Sequence, residues 1–108
     1  MRLSRARNIF FLRKVVGGSM YPLLTPNQLI FGSSLLKKRV NRVVVFRDNE
    51  IDKVKLILKK DKDKYFVVGS NLNLSTDSRH FGWIKDSQVI GVMIWPRIKN
   101  KKSIAFNI

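Results

Sequence analysis

The sequence predicts a single all-β domain, and three observations carry that reading. Short apolar, β-branched runs recur between polar turn signals at the spacing of an all-β fold. No stretch sustains the three-to-four-residue periodicity of an amphipathic helix. Finally, 108 residues of which 44% are hydrophobic can bury one core but not two. Residues 1–108 are therefore expected to form one domain, with its core at about 13–96 and a loosely held basic tail over 97–108, where Ile104, Ala105 and Phe106 are candidates to dock.

The first strand is expected near Arg13 to Val16, ending at the Gly17-Gly18 pair. A second is expected from Gln28 to Gly32 and a third from Asn41 to Arg47, which contains the run Val43-Val44-Val45-Phe46. The fourth, Lys53 to Leu58, partly alternates, which places Lys53, Lys55 and Ile57 on one face and Val54, Leu56 and Leu58 on the other. Asp61-Lys62-Asp63-Lys64 reads as a polar hairpin connection to a fifth strand, Lys64 to Val68. Gly69 to Trp83 is rich in Asn, Ser, Asp and Gly and reads as a long irregular segment, a length that in a compact domain usually marks either a functional or a disordered loop. The last strand is expected from Val89 to Trp95.

Composition removes whole classes of chemistry. Zero Cys excludes disulfides, zinc fingers and thiol nucleophiles, and a single His, His80, excludes a histidine metal cluster, so no metal or other cofactor is expected. The 22 Lys and Arg against 7 Asp and Glu leave a net charge of +15, compatible with nucleic acid, an anionic membrane surface or an acidic protein partner. Nucleic acid is the weaker of these, because neither a recognition helix nor a regular aromatic stacking pattern is evident. Between Val15 and Leu36 there is no charged residue, but Gly17, Gly18, Pro22 and Pro26 interrupt the stretch, so it does not read as a membrane-spanning helix. Ile9-Phe10-Phe11-Leu12 is too short for a signal-peptide core, so a cytoplasmic location is expected.

Three segments can carry chemistry. Gly17-Gly18-Ser19-Met20-Tyr21-Pro22 can present a serine hydroxyl on a tight backbone, although an ordinary Gly-Gly-Ser turn would look the same. Ser75-Thr76-Asp77-Ser78-Arg79-His80-Phe81-Gly82 can cap its own backbone and hold an Asp77–Arg79 ion pair. The lysines of the fourth strand are either solvated edge residues or chemistry. His80, Trp83 and Trp95 have plain surface, core or rim readings.

Taken together, and in this order, these segments resemble the type I signal peptidase superfamily of serine/lysine proteases, over about Val15 to Pro96. Within it, the Ser-Thr-Asp-Ser-Arg-His-Phe-Gly segment and the terminal Trp95-Pro96 look like the small soluble branch of nickel-type superoxide dismutase maturation proteases. The resemblance implies a small coiled antiparallel β-sheet, barrel-like, of the signal peptidase/LexA type. It implies Ser19 as nucleophile and a neutral lysine as its base: Lys55, fourteen residues before Gly69, with Lys53 on the same face as the alternate. It further implies Ser75 as the residue orienting that lysine, Asp77 and Arg79 as the pair stiffening the loop, Met20 and Pro22 as groove walls, and the Ser19 N–H as an oxyanion donor. The implied partner is a precursor protein or leader peptide, that of nickel superoxide dismutase in the specific branch. The rival readings are an anchorless peptidase touching a membrane through Arg2 to Lys14, and a basic nucleic-acid module.

The sequence departs from the family pattern at several turns. Leu23 replaces a usual Thr, Asn27-Gln28 and Asn41-Arg42 replace Gly-Asp pairs, Ser70 replaces the Asp of Gly-Asp-Asn, Leu56 replaces an Arg, and Gly17 leaves no side-chain hydroxyl two residues before Ser19.

Overall fold

Val43-Val44-Val45-Phe46 is apolar at four successive positions, a pattern that is stable in a sheet only when both of its faces are covered. In the computed structural model, which describes residues 9–71 and 75–98, all four are buried. Val43 and Val45 join one apolar cluster with Phe11, Met20, Leu24, Ile30, Leu56 and Val68, while Val44 and Phe46 join a second with Ile57, Tyr65, Val67, Ile84 and Val92.

Around this central strand the chain forms β1 (Phe10–Lys14), β2 (Leu29–Ser33), β3 (Val43–Asp48), β4 (Ile51–Asp61), β5 (Lys64–Val68), a one-turn helix α1 (Ser78–Phe81), β6 (Ile84–Lys85), a 3-10 turn (Asp86–Gln88) and β7 (Val89–Trp95). The seven strands make one antiparallel sheet in the order β1-β2-β7-β3-β4-β5-β6. The all-β expectation holds, and β5 and β7 have the expected bounds.

The differences have local causes. The first strand starts at Phe10 rather than Arg13, because Phe11 enters the core over Gly32 and Gly91. A Cβ at those glycines would lie 2.3 and 2.6 Å from the Phe11 ring. The fourth strand runs from Ile51 to Asp61, well beyond Lys53 to Leu58. Asn49 and Glu50 both take positive φ, 50° and 66°, the two-residue turn whose twist suits a tight hairpin, so β3 and β4 pair from Asp48–Ile51 onward. The segment expected to be irregular contains α1, which Asp77 caps while its own N–H donates to His80 Nδ1 at 3.3 Å.

The core extends past the expected limits, to Phe11 at one end and to Ile98, which packs against the first cluster, at the other. The remainder of the basic tail from Lys99, with Ile104, Ala105 and Phe106, lies outside the described residues, as do Arg2, Arg5 and Arg7. One sheet face is left open: Phe10, Leu12, Leu29, Phe31 and Trp95, on β1, β2 and β7, are all exposed, with Phe10 stacked on Phe31 at 5.6 Å. Among the described residues no helix is long and apolar enough to cross a membrane.

Candidate active site

The Ser19 loop is pinned at both ends by burial. Val15, which extends the β1–β2 pairing by donating to Gln28 O at 2.8 Å and accepting from Asn27 N at 2.7 Å, is buried, and so are Met20 and Leu24. Between these anchors Gly17 takes φ +77°, a conformation that disfavours any side chain, and the chain turns so that Tyr21 N reaches Gly18 O at 3.1 Å. The substituted turn residues keep the turns. Asn27 and Asn41 both adopt the left-handed conformation, φ 70° and 71°, which asparagine tolerates better than other side chains do. Gln28 Oε1 accepts from Thr25 N at 3.0 Å, a bond a carboxylate could make equally.

The far side of the loop is held by Gly69-Ser70-Asn71. Asn71 N donates to Ser19 O at 2.9 Å and Ser70 Oγ donates to Tyr21 O at 3.0 Å, so Ser70 ties the serine loop to the end of β5. Gly69 is required by space: a Cβ there would lie 2.3 Å from Ser75 Oγ and 2.6 Å from Ser19 O.

Lys55 arrives from β4, opposite Val44, and is only 4% exposed. Its Nζ donates to Ser19 Oγ at 2.8 Å and to Ser75 Oγ at 3.3 Å. Ser75 Oγ in turn donates to Asp77 Oδ2 at 2.6 Å. Asp77 is fully buried and also accepts from Gly69 N at 2.9 Å, from Arg79 N at 3.1 Å, from Arg79 Nε at 2.8 Å and from Arg79 Nη2. The structure thus brings Ser19, Lys55, Ser75, Asp77 and Arg79 into one hydrogen-bonded chain. Lys53 stands apart: its Nζ pairs with Asp48 Oδ2 at 3.0 Å and lies 5.1 Å from the Phe81 ring centroid.

The electrostatics follow from this arrangement. Burial pulls the Lys55 ammonium down to about 8; the Asp77 carboxylate opposes that shift, and the positive charges of Lys53 and Arg79 add to it. Asp77 experiences the reverse balance. Burial pushes its carboxyl up, but the Arg79 guanidinium, the Ser75 hydroxyl and the N–H groups of Gly69 and Arg79 outweigh this and hold it well below the usual carboxylate range. Asp77 does not touch Nζ; Ser75 stands between them. A lysine that loses its proton near pH 8, in contact with a serine hydroxyl, can accept that hydroxyl's proton.

Ser19 and Lys55 open into a cleft of about 330 Å3 between the Lys14–Met20 segment and Ile51–Lys55, with Thr76 at its margin. Met20, expected in the groove, lines it from below and is at the same time a core residue, 1% exposed. Pro22 is exposed and does not line it, because the chain turns away after Met20. Sequence reasoning missed Asp52 on the opposite wall, which binds both Arg13 and Arg47, and Asp48 behind that wall, which holds Lys53. Their roles depend on the tight Asn49-Glu50 turn, whose only signal was the Asp48-Asn49 pair. Among the described residues no group of three or more His, Asp or Glu is placed to hold a metal.

Comparison with known proteins places relatives beside this geometry. The family model for signal peptidase, peptidase S26, matches residues 49–97, a span that contains Lys55, Ser75, Asp77 and Arg79 but not Ser19. Signal peptidase I of Buchnera aphidicola subsp. Baizongia pistaciae (strain Bp) is 25% identical over 108 residues, covering 86% of this chain and 35% of the relative. Signal peptidase I V of Bacillus subtilis (strain 168) is 54% identical over 35 residues, 32% of this chain and 21% of the relative. The chain thus spans about a third or less of the curated relatives it matches. These similarities support the type I signal peptidase superfamily.

Proposed function

We propose that this chain is a signal-peptidase-like serine endopeptidase, with Ser19 as nucleophile and Lys55 as general base, that removes an N-terminal leader from a precursor protein. The observation that carries the reading is the 2.8 Å contact between Ser19 Oγ and the buried Lys55 Nζ, whose affinity for a proton is lowered to about 8. Neutral Lys55 takes the Ser19 proton as Oγ attacks the scissile carbonyl, and the Ser19 N–H donates to the developing oxyanion. The protonated lysine returns its proton to the leaving amine, leaving an acyl-enzyme. Lys55 then draws a proton from water, which releases the acid. Ser75 fixes the amine's direction, and Asp77 with Arg79 fixes Ser75.

β4 pairs with β5 only from Leu56 onward, so the backbone of Ile51 to Lys55 has no strand partner on the side that borders the cleft, among the described residues. An extended peptide adding to that edge would gain backbone hydrogen bonds and run past Ser19. The finer substrate we propose, the leader of a nickel superoxide dismutase precursor, rests on the resemblance of residues 75–82 and Trp95-Pro96 to that branch.

The test is incubation of precursor peptides with wild type, Ser19→Ala, Lys55→Ala and Lys53→Ala, read by mass spectrometry. Cleavage by wild type and Lys53→Ala, absent in the other two, supports the reading. Activity persisting in Ser19→Ala overturns it, and loss in Lys53→Ala with retention in Lys55→Ala moves the base. A second reading, action at a membrane surface, is favoured by the open apolar face of Phe10, Leu12, Leu29, Phe31 and Trp95.

A further inference from the structure

The walls of the cleft carry charge that the proposed reaction does not use. Lys14 stands on one wall and Lys53 on the other. The carboxylate that also lines the cleft, Asp52, is already occupied on both oxygens, by Arg13 Nε at 3.0 Å and Arg47 Nε at 2.9 Å. Asp48 engages Lys53 at 3.0 Å, yet the Lys53 side chain keeps 26% exposure toward solvent. Among the described residues Lys14 has no carboxylate within ion-pair distance. The charged side chains that line the cleft are therefore three lysines, Lys14, Lys53 and Lys55, against the single carboxylate of Asp52.

We propose that Lys14 and Lys53 make this cleft selective for precursor segments that carry an acidic side chain beside the bond to be cut, and that they exclude segments carrying Lys or Arg there. The inference rests on the peptidase reading and names the substrate class of that same site. A cleft lined by one sign of charge, with low-dielectric protein on either side, concentrates its field, so an entering carboxylate is attracted and an entering ammonium repelled. Discrimination comes from both effects, and the repulsive one is the stronger guard against wrong substrates. The strand edge at Ile51–Lys55 supplies the geometry: a peptide extended along it passes between the two lysine stems, with alternate side chains directed at either wall.

A narrower role for Lys53 makes a different forecast. If it acts only by keeping Lys55 neutral, removing it shifts the pH dependence of every substrate alike and leaves their ranking unchanged.

The experiment uses matched peptides differing only in Asp, Asn or Lys at positions flanking the scissile bond, assayed above pH 8 with wild type, Lys14→Gln, Lys53→Gln, the double Gln variant and the double Glu variant. The expected result is a roughly 3- to 20-fold preference in kcat/KM for the Asp over the Asn peptide, carried mainly by KM, with the Lys peptide poorer still. Each single Gln variant reduces the ratio, the double Gln variant brings it to about one, the double Glu variant inverts it, and about 0.5 M salt compresses it. Equal cleavage of the Asp, Asn and Lys peptides by wild type overturns the proposal, as does a preference that survives in the double Gln variant. Binding of the same peptides to Ser19→Ala, followed by fluorescence anisotropy, reads the selection without hydrolysis. An Asp preference there in a protein that cleaves nothing would sink the peptidase reading and leave the cleft's charge selection standing; equal binding in a protein whose wild type cleaves would do the reverse.

Discussion

Lys55 is placed at a cost to stability. Its folded-state proton affinity is lowered from 10.5 to about 8, mainly by burial, so at neutral pH the unfolded chain holds that proton more readily than the folded one. The resulting penalty is full below about pH 8, shrinks as pH rises, and vanishes above 10.5, where the unfolded lysine is neutral too. Lys55→Met is therefore expected to stabilise the protein by up to about 3 kcal/mol at pH 7, with the gain fading above pH 10, in urea unfolding followed at several pH values. Asp77 has the opposite sign. Its carboxylate is held low, so its contribution is complete above the ordinary carboxylate range and is lost as pH falls through that range and below it. Asp77→Ala strips partners from the Arg79 guanidinium, the Ser75 hydroxyl and Gly69 N, and is expected to cost ~3–5 kcal/mol in the same measurement. Gly69→Ala is expected to push Ser75 and the Ser19 carbonyl apart and to lower both activity and stability, because the added Cβ meets both.

At the scale of elements, the tightness of β3–β4 decides how the cleft is built. Glu50 sits at φ 66° in a turn where glycine is the usual occupant, so Glu50→Gly is expected to stabilise by about 0.5–1 kcal/mol, a rise of several degrees in the thermal midpoint. Phe46, buried between strand neighbours and close to Phe81, anchors the face opposite the serine loop; Phe46→Ala is expected to cost ~3–5 kcal/mol. What the sequence made legible follows from these elements. Apolar runs and turn residues located all the long strands, because each run sits between groups that cannot continue a ladder. Strand ends were less legible: the start of β1 depends on Phe11 filling the space above Gly32 and Gly91, which are far away in the chain, and the length of β4 depends on two positive φ values in residues with no glycine. α1 escaped notice since a four-residue helix has no periodicity to read; its only mark was Asp77 followed by Ser78-Arg79-His80. In the candidate site, family resemblance singled out the five residues that the structure joins by hydrogen bonds, while Asp52 on the opposing wall, with its partners Arg13 and Arg47, is a product of pairing across strands and left no local pattern. Asn27 and Asn41 looked like lost turn glycines, yet they keep the left-handed backbone that the turns need.

For the whole molecule, the +15 charge matters less as a total than through where its parts stand. The positive charges that act on Lys55 are those of Lys53 and Arg79, and the nearby Asp77 works against them, so diffuse surface charge is not needed to explain its proton affinity. The exposed face of Phe10, Leu12, Leu29, Phe31 and Trp95 includes β1, the strand that leads directly into the serine loop, so a contact made at Phe10 and Leu12 would sit near the cleft. Co-flotation with anionic vesicles is expected to weaken in Phe31→Ser and Trp95→Ser if that face meets lipid, and unchanged flotation in both would remove the membrane-surface reading. The central claim is that Ser19 and Lys55 act together as nucleophile and base, and the pH dependence of kcat/KM for cleavage of a precursor peptide tests it most directly. The account predicts activity rising through one ionisation near pH 8, absent at every pH in Ser19→Ala and Lys55→Ala. A profile with no ionisation near that value, or cleavage that survives in either variant, would contradict it.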